Sequence, residues 1–258
     1  MNPTIAAAEE TPRHVLNELG FSTRRVGEEL HGTASITPQM HVPGTSHLRT
    51  SILATWADML TGLLATRVIA PRVPVTLELD VHLYRPAPAA GDLVGIARTV
   101  KAGRSTIVAE VDFTVDGEPL AISKGLFMMA PDPDVRLPPM HSLDSPATGA
   151  RLAVPLAERV GCERRGAGTA ALPRREDGLN ATDSVNGGLI ALVAEEAVLS
   201  LAPGDTLRSL SLTYLHAARV GPVVATARLR DGLARAELRD SGHGDRLTGL
   251  VTARTFRG

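Results

Sequence analysis

The chain of 258 residues has little of what marks several large classes of protein. It contains one cysteine, Cys162, so no intrachain disulfide can form. Its 27 Lys and Arg balance 28 Asp and Glu without forming a basic stripe, which argues against nucleic acid and against a membrane as partners. Aromatic residues make up only 3%, so the composition gives no sign of a ring-stacking pocket.

Several catalytic signatures are missing as well. Gly-x-Ser-x-Gly is absent, which disfavours a serine hydrolase, and Gly166-Ala167-Gly168 lacks the third glycine of a dinucleotide-binding turn. Without a His-x-x-x-His or a cysteine pair we expect no metal site, and we expect no cofactor. Residues 1–19 have no apolar core of the length that a secretory signal needs, so we expect a cytoplasmic protein.

What the sequence does contain is an internal repeat. Residues 31–62 and residues 167–200 each begin with Gly-Thr-Ala and pass through a turn-rich loop into an apolar segment with an acid in its middle. The acid is Asp58 in the first copy and Glu195 in the second, at nearly the same distance from the glycine. The start of one copy and the start of the other are separated by far more than the roughly 20–50 residues of a solenoid repeat. The repeat therefore indicates a duplicated domain.

The repeat and a proline-rich stretch predict two domains. Pro131, Pro133, Pro138, Pro139 and Pro146 exclude regular structure between the copies. We therefore predict a first repeat over residues 1–130, a linker over 131–150 and a second repeat over 151–258.

Each repeat combines one helix with several strands. The segment from about Thr50 is apolar around most of its helical circumference, which predicts a buried helix. Its exception is a polar stripe of Ser51, Thr55, Asp58 and Gly62 on one helical face. Leu77, Leu79, Val81 and Leu83 alternate with polar residues, and further alternating runs follow at hairpin turns such as Asp116-Gly117, which predicts an antiparallel α+β fold.

The motifs of a known family are divided between the two copies. Copy two has Asn180, then Asn186-Gly187-Gly188, then Glu195. Copy one has Trp56-Ala57-Asp58 and, further on, Tyr84-Arg85-Pro86 and Gly103-Arg104. In these motifs the chain resembles the PaaI-like acyl-CoA thioesterases, in a tandem form. It departs from them where Asn186 and Glu195 replace His and Asp, and where Pro43 and Arg49-Thr50-Ser51 replace Asn and His-Gly-Gly in copy one.

The resemblance implies a double hotdog, in which two central helices are each wrapped by a curved antiparallel sheet and pair side by side. It also implies active sites between the helices, each taking its acid from one repeat and its Asn and glycines from the other. Asp58 with Asn180, Asn186, Gly187 and Gly188 would then form one nearly complete site. Glu195 with Arg49 and Thr50 would form a degenerate second site.

These residue types suit the hydrolysis of a thioester. A carboxylate can act as general base or as nucleophile, and the free N–H groups at a helix N-terminus can stabilise the charge on the carbonyl oxygen. Asn180 would hold the attacking water, and Asn186 would donate to the carbonyl or cap the helix. Asp58 is alternatively a solvated residue, and the glycine pair alternatively serves close helix packing.

Other residues and functions stay open. Arg104, and more weakly Arg85, are candidates for binding the phosphates of coenzyme A. Glu195 and Glu196 are adjacent, so we expect at least one of them to face solvent, and we favour a structural role for Glu195. The substrate is an acyl-CoA or an acyl carrier protein thioester, and the double hotdogs are candidates for a homodimer. The alternatives are a non-catalytic acyl-CoA or ligand-binding double hotdog, and an enoyl-thioester hydratase. A hydratase of this fold needs an Asp-His pair near the start of the helix, and His41 to Gly44 is the nearest and only a weak match to it.

Overall fold

The computed structural model describes residues 14–137 and 142–257. Pro138 and Pro139 of the predicted linker lie outside the described residues, as do the first 13 residues, on which the expectation about a secretory signal largely rests. The helices are α1 (Thr50–Ile69), α2 (Leu156–Val160) and α3 (Gly187–Leu199), with 3-10 helices at Val15–Leu19, Pro38–Met40 and Glu176–Gly178. The strands are β1 (Ser22–Val26), β2 (Glu29–Ser35), β3 (Pro74–Leu83), β4 (Asp92–Ala102), β5 (Thr106–Val115), β6 (Glu118–Met129), β7 (Glu163–Gly166), β8 (Thr169–Leu172), β9 (Thr206–Tyr214), β10 (Val223–Arg230), β11 (Leu233–Asp240) and β12 (Arg246–Phe256).

The twelve strands form one antiparallel sheet whose order reads the same way from both edges. The order is β1-β2-β4-β5-β6-β3-β9-β12-β11-β10-β8-β7, so each strand of the first half has a counterpart at the mirrored position in the second half. The halves join through β3 and β9, where Asp80 pairs with Ser211. This arrangement is what two copies of one unit produce when they pair edge to edge, and it agrees with the repeat in the sequence.

Helix α1 runs through the core, as its apolar circumference predicts. Ile52, Leu53, Trp56 and Leu60 are fully buried, and the Trp56 ring stacks on Phe21 with 5.3 Å between ring centroids. Helix α3 is buried at every position after Gly187 and packs against α1. The two helices therefore share one hydrophobic core beneath the sheet.

Strand β3 departs from the predicted alternation at its start. Leu79, Val81 and Leu83 are buried, but Leu77 is only half-buried. The pairing of β3 with β6 shifts register between Thr76 and Glu78, which is a β-bulge. Because a bulge adds a residue to one strand, it re-aims the side chains beside it. Thr76 and Leu77 consequently both line the cavity described below.

The described part of the predicted linker contains two isolated bridges, Thr23 with Ser145 and Arg72 with Arg136. The domain boundaries at 130 and 150 stay a prediction.

Candidate active site

The acid of each long helix lies beside the N-terminus of the other. Asp58, on α1, is next to Gly187, the first residue of α3. Glu195, on α3, accepts hydrogen bonds from the N-terminus of α1. The contact between the helices therefore creates two pseudo-equivalent positions, each with a carboxylate from one repeat and a helix N-terminus from the other.

Asp58 is half-buried on the wall of a cavity and is fixed by one neighbour. Thr76 Oγ1 donates a hydrogen bond of 2.9 Å to Asp58 Oδ1, and Oδ2 faces α3, where a Cβ added to Gly187 would lie 3.0 Å from it. Burial raises the pKa of Asp58 to about 6, against the opposing effect of the Thr76 hydrogen bond. This carboxyl group therefore changes protonation state close to neutral pH.

The N-terminus of α3 uses its two glycines in different ways. Asn186 is the N-cap, and its Oδ1 accepts the Gly188 N–H at 2.8 Å. A side chain on Gly188 would overlap Thr55 of α1, so this glycine permits close helix packing. Gly188 is not among the residues that line the cavity. The expectation of two free N–H groups must be corrected to one, that of Gly187.

Gly187 lines the cavity directly. As the first residue of α3, it has no carbonyl one turn earlier within the helix to accept its N–H. The positive end of the helix dipole lies at the same place, because α3 has thirteen residues and begins here. Gly187 thus supplies the position at which an oxygen carrying negative charge would be stabilised.

Asn180 lies on the same cavity but its side-chain oxygen is already occupied. Asn180 Oδ1 accepts from the backbone N–H and hydroxyl of Thr182 and from those of Ser184, at 2.8 to 3.2 Å. The residue therefore holds the loop that leads into α3. Since Oδ1 is satisfied within the loop, the amide NH2 group is the part of Asn180 that remains to contact a ligand.

Tyr214 and Thr76 belong to the site although the sequence did not point to them. Tyr214 Oη donates to the Gly187 carbonyl at 3.1 Å, and burial, followed by the nearby Asp58 charge, raises the Tyr214 pKa well above its usual value. Tyr214 ends β9, opposite the start of β3 where Thr76 lies. The sequence signal that could have pointed to Tyr214 is that tyrosine is rare in this chain. The placement of Thr76 beside Asp58 depends on the β-bulge in β3, which no sequence pattern indicated.

The cavity has a volume of about 530 Å³, and Asp58 is one of the residues that line it. This size falls within the range of roughly 300–1,000 Å³ that is usual for small-molecule sites. Its polar lining residues include Asn180, Thr182, Ser184, Asn186, His216 and Thr248. Its apolar lining residues include Met59, Leu63, Val75, Phe127, Met128, Leu137, Val185, Ile190 and Leu215.

At the second position the corresponding space is filled by side chains. Glu195 is 0% exposed and accepts from the Thr50 N–H at 2.9 Å, from Ser51 Oγ at 2.6 Å and from Arg49 Nη1 at 3.3 Å. Arg49, also 0% exposed, continues to Glu196, which pairs with Arg164 Nε at 2.6 Å. Burial raises the pKa of Glu195, and Arg49 opposes that shift. Glu195, Arg49 and Thr50 do meet, but as an enclosed network.

One expectation about this network is wrong. Neither Glu195 nor its neighbour Glu196 faces solvent, because both are less than 5% exposed. Adjacent helical residues can both be buried here since Arg49 and Arg164 supply a positive partner for each carboxylate.

The two arginines proposed for coenzyme A lie at opposite ends of the sheet's strands, Arg104 in the turn between β4 and β5 and Arg85 just after β3. Arg104 is exposed in the turn just before β5, whose first residue pairs with the cavity-lining Met128. Arg85 follows the far end of β3 and donates to the Pro119 carbonyl. Because a strand rises roughly 3.3 Å per residue, Arg85 lies about 30 Å along the chain from Thr76. Of these two arginines, Arg104 is the one at the end of the sheet that carries the cavity-lining residues Thr76 and Met128, and it does not itself line the cavity.

Two further features of the described residues bear on the predicted partners. Within residues 14–137 and 142–257, no group of three or more His, Cys, Asp or Glu is arranged to hold a metal ion. One described helix, α1, is long and apolar enough to cross a membrane by length and composition, but most of it is buried inside the fold, as in the core helix of a globular domain.

Comparison with protein families gives one match, and it covers the first repeat. Residues 47–122 match the model of the thioesterase superfamily. This segment includes α1 with Asp58 and strands β3 to β5. No match was found among curated protein sequences.

Solved structures match over nearly the whole chain. The 12:0-ACP thioesterase from Umbellularia californica aligns with a TM-score of 0.64 at 12% identity, covering 91% of this chain and 100% of that one. An acyl-ACP thioesterase from Bacteroides thetaiotaomicron aligns at 0.60 and 14%, covering 88% and 98%. The tesB protein from Mycobacterium avium subspecies paratuberculosis aligns at 0.58 and 18%, covering 91% and 95%. At these identities the likeness establishes the fold, and the predicted α+β double hotdog is confirmed.

Proposed function

We propose that this protein hydrolyses acyl thioesters at the contact between its two repeats. The observation that carries the proposal is the placement of Asp58 and Gly187 on one cavity, with the carboxylate from α1 and the helix N-terminus from α3. The match of residues 47–122 to the thioesterase superfamily supports the same class of reaction.

In the proposed reaction the thioester carbonyl lies between these two groups. Its oxygen accepts the Gly187 N–H, which stabilises the negative charge that develops when the carbonyl carbon is attacked. Asp58 takes a proton from a water molecule, and the resulting hydroxide adds to the carbon. When the tetrahedral intermediate collapses, the C–S bond breaks, the thiolate leaves with the proton held by Asp58, and a carboxylic acid remains. Direct attack by Asp58 followed by hydrolysis of the anhydride is the alternative route.

The surrounding residues position these groups. Thr76 holds Asp58 Oδ1, which leaves Oδ2 directed at α3. Tyr214 holds the Gly187 carbonyl, and Asn186 caps the helix through Gly188. Asn180 organises the entry loop through its oxygen and has its NH2 group left for the water or the substrate. Gly188 contributes by packing against Thr55 rather than by donating to substrate.

The proposal assigns one working site to each chain. The second position has a carboxylate at the same place, but its oxygens are occupied by donors from Arg49, Thr50 and Ser51. A carboxylate enclosed in this way has no room for water and substrate. Glu195 therefore holds the repeats together, in line with the structural role favoured for it from the sequence.

The carrier of the acyl group is proposed to be coenzyme A, in keeping with the PaaI-like motifs. Arg104, in the turn before β5, is the candidate phosphate contact. Acyl carrier protein is the other candidate, since two of the similar structures are titled as ACP thioesterases. The two carriers share the same pantetheine thiol, so the chemistry at Asp58 would be the same for both.

The test is release of free thiol from a panel of acyl-CoA and acyl carrier protein thioesters with short, medium, long and aryl acyl groups. Turnover that saturates with substrate supports the proposal and identifies the carrier. Binding of acyl-CoA by calorimetry without any thiol release would contradict it in favour of the non-catalytic binding protein. With an enoyl-CoA added to the panel, loss of enoyl absorbance without thiol release would favour the hydratase instead.

A further inference from the structure

The outer face of the sheet, which points away from α1 and α3, carries a group of arginines in the second repeat. Outward-facing residues alternate with buried ones along these strands, as Arg235 does between Ala234 and Ala236. Four outward-facing arginines of β10, β11 and β12 form what we call the arginine patch: Arg228, Arg230, Arg235 and Arg254. Because they come from three strands, the fold brings them together although the sequence has no run of basic residues here.

The sheet gives no internal reason for the arginine patch. Arg228 lies directly opposite Arg235 on the neighbouring strand, and like charges in this position destabilise a sheet. Among residues 14–137 and 142–257, no carboxylate pairs with Arg228, Arg235 or Arg254. Arg230 has a 3.6 Å contact with the exposed Asp231 beside it. Most of the charge of the patch is therefore left for a partner.

The strands at the mirrored positions of the first repeat have acids on the same face. Arg98 lies opposite Glu110 and pairs with it, so unlike charges face each other on these strands. The charged residues that face outward in the middle of β3 to β6 are Glu78, Asp80, Arg98, Glu110, Asp112 and Lys124. With four acids against two bases, the first half of this face is acidic and the second half is basic.

The register of the sheet places the acids and the arginines in the same rows. Pairing across β3 and β9 continues the row of Glu110 into the row of Arg235. The row of Asp112 likewise continues into that of Leu233, which has an arginine of the patch on each side. Strands β5 and β11 are each third from the junction of the halves. Two copies stacked face to face, about a two-fold axis parallel to the strands at this junction, would thus place the acids of β5 over the partner's arginine patch.

We propose that this face is the interface of a homodimer, in which the arginine patch of each chain covers the two acids of its partner's β5. Such an arrangement is self-complementary, because each chain supplies one basic and one acidic half. Eight strands about 4.8 Å apart make a face roughly 40 Å wide, which can supply the roughly 800 Å² per partner that a specific interface buries. Exposed Ile122, Leu233 and Leu250 lie on the same face and add apolar contact.

The position of the arginine patch favours a second copy over an acidic acyl carrier protein. Arg254 is six residues along β12 from Thr248, which lines the cavity, a distance of about 20 Å. The patch also faces away from α1, which packs on the other side of the sheet with Asp58. A carrier protein seated on the patch would therefore be remote from Asp58.

The test is the oligomeric state of the full chain, measured by sedimentation equilibrium. We expect a dimer whose dissociation constant rises between about 0.1 M and 1 M salt, because exposed charges are screened. Arg235→Glu and Glu110→Arg should each raise that constant about tenfold or more, since each places like charges across the interface. An equimolar mixture of the two variants should dimerise like wild type, because one contact of the mixed pair is then reversed and the other is native. Arg24→Glu, the same charge change on the edge strand β1, is the control and should have no effect.

A disulfide trap tests the same geometry without charge reversal. Asp112→Cys combined with Leu233→Cys should give a disulfide-linked dimer on oxidation. Within one chain these positions are five strand spacings apart, about 24 Å, which is too far for a bond.

None of these readouts depends on thiol release, so they stand apart from the proposed function. A wild type that stays monomeric at high concentration, a dimer that Arg235→Glu leaves intact, or a mixture that fails to dimerise would each overturn the proposal. If the chain is monomeric and Arg235→Glu lowers kcat/KM on acyl carrier protein thioesters but not on acyl-CoA, the patch binds an acidic carrier instead.

Discussion

The two ends of the contact between α1 and α3 have the same framework and opposite contents. At one end Asp58 faces Gly187, and a cavity of about 530 Å³ opens beside them. At the other end Glu195 faces Thr50 and Ser51, and Arg49 fills the space. The contact between the helices thus has two pseudo-equivalent positions, of which one has space for a ligand and the other is occupied by side chains of the protein.

The difference depends on the first residues of the two helices. Asn186-Gly187-Gly188 begins α3 with a cap and no bulky side chain. At the start of α1, by contrast, the Arg49 and Ser51 side chains and the Thr50 N–H all donate to the opposite acid. A carboxylate that accepts three or more hydrogen bonds and an ion pair stabilises a contact. Among residues 14–137 and 142–257, the hydrogen bond that Asp58 accepts comes from Thr76, and a carboxylate held by one donor keeps lone pairs available for a proton from water.

The largest expected effect is that of replacing the carboxylate at the open end. Asp58→Asn removes the proposed base without changing its size, and kcat/KM should fall by roughly 10²- to 10⁴-fold. The melting temperature at pH 7 should rise, because burial holds the Asp58 pKa near 6 and ionising this residue costs at most about 3 kcal/mol. Thiol release and thermal unfolding of the same sample measure both.

Full activity in Asp58→Asn would remove this residue from the mechanism. If Glu195→Gln lost as much activity as Asp58→Asn, the two ends would both be working sites and the comparison between them would fail.

At the closed end we expect the opposite pattern for Glu195→Gln. The amide keeps one acceptor oxygen but places an NH2 group against the donors of Ser51 or Thr50, and it leaves Arg49 with one buried anionic partner fewer. Breaking a buried pair in this way costs about 3–5 kcal/mol, measured by urea unfolding. The folded fraction should keep kcat within twofold of wild type. Glu237→Gln, in an exposed pair with Arg239, is the matched control and should cost less than about 1 kcal/mol.

Much of this comparison was accessible from the sequence. The repeat, the start and burial of α1 and the expectation that each acid meets the opposite helix follow from hydrophobic periodicity and from the family resemblance. The sequence did not predict which side chains occupy the two ends of the contact between α1 and α3, because their positions depend on contacts between residues far apart in the chain. Arg164 reaches Glu196 across 32 positions, and that contact makes a second buried glutamate possible. The role of Thr76 depends on a bulge in β3, which the alternation of Leu77 and Leu79 conceals.

The pH dependence distinguishes an open carboxylate from an enclosed one. If Asp58 is the base, kcat/KM should rise with pH and level off above about pH 6, falling tenfold per unit below it, because only the ionised form accepts a proton. Thr76→Val removes the hydrogen bond that favours the ionised form, so the inflection should move upward by about one unit. The free energy of unfolding should change in the opposite direction and decrease from pH 4 to pH 6, because the folded state holds the Asp58 proton more tightly than the unfolded chain does.

A pH profile that is flat between 5 and 7, or one that Thr76→Val leaves in place, would contradict the assignment of Asp58 as the ionising group.

The smallest expected effect concerns the hydroxyl that supports the open end. Tyr214→Phe removes the hydrogen bond to the Gly187 carbonyl and keeps the ring. A neutral hydrogen bond contributes about 1 kcal/mol, so kcat should fall roughly fivefold, with KM changed less because the N–H of Gly187 acts mainly on the charge of the transition state. Tyr84→Phe, at a 60% exposed tyrosine just beyond β3, should leave kcat and KM unchanged. If Tyr214→Phe instead raised KM alone, Tyr214 would contact substrate, and the open end would differ from the closed end in its binding surface as well as in its helix N-terminus.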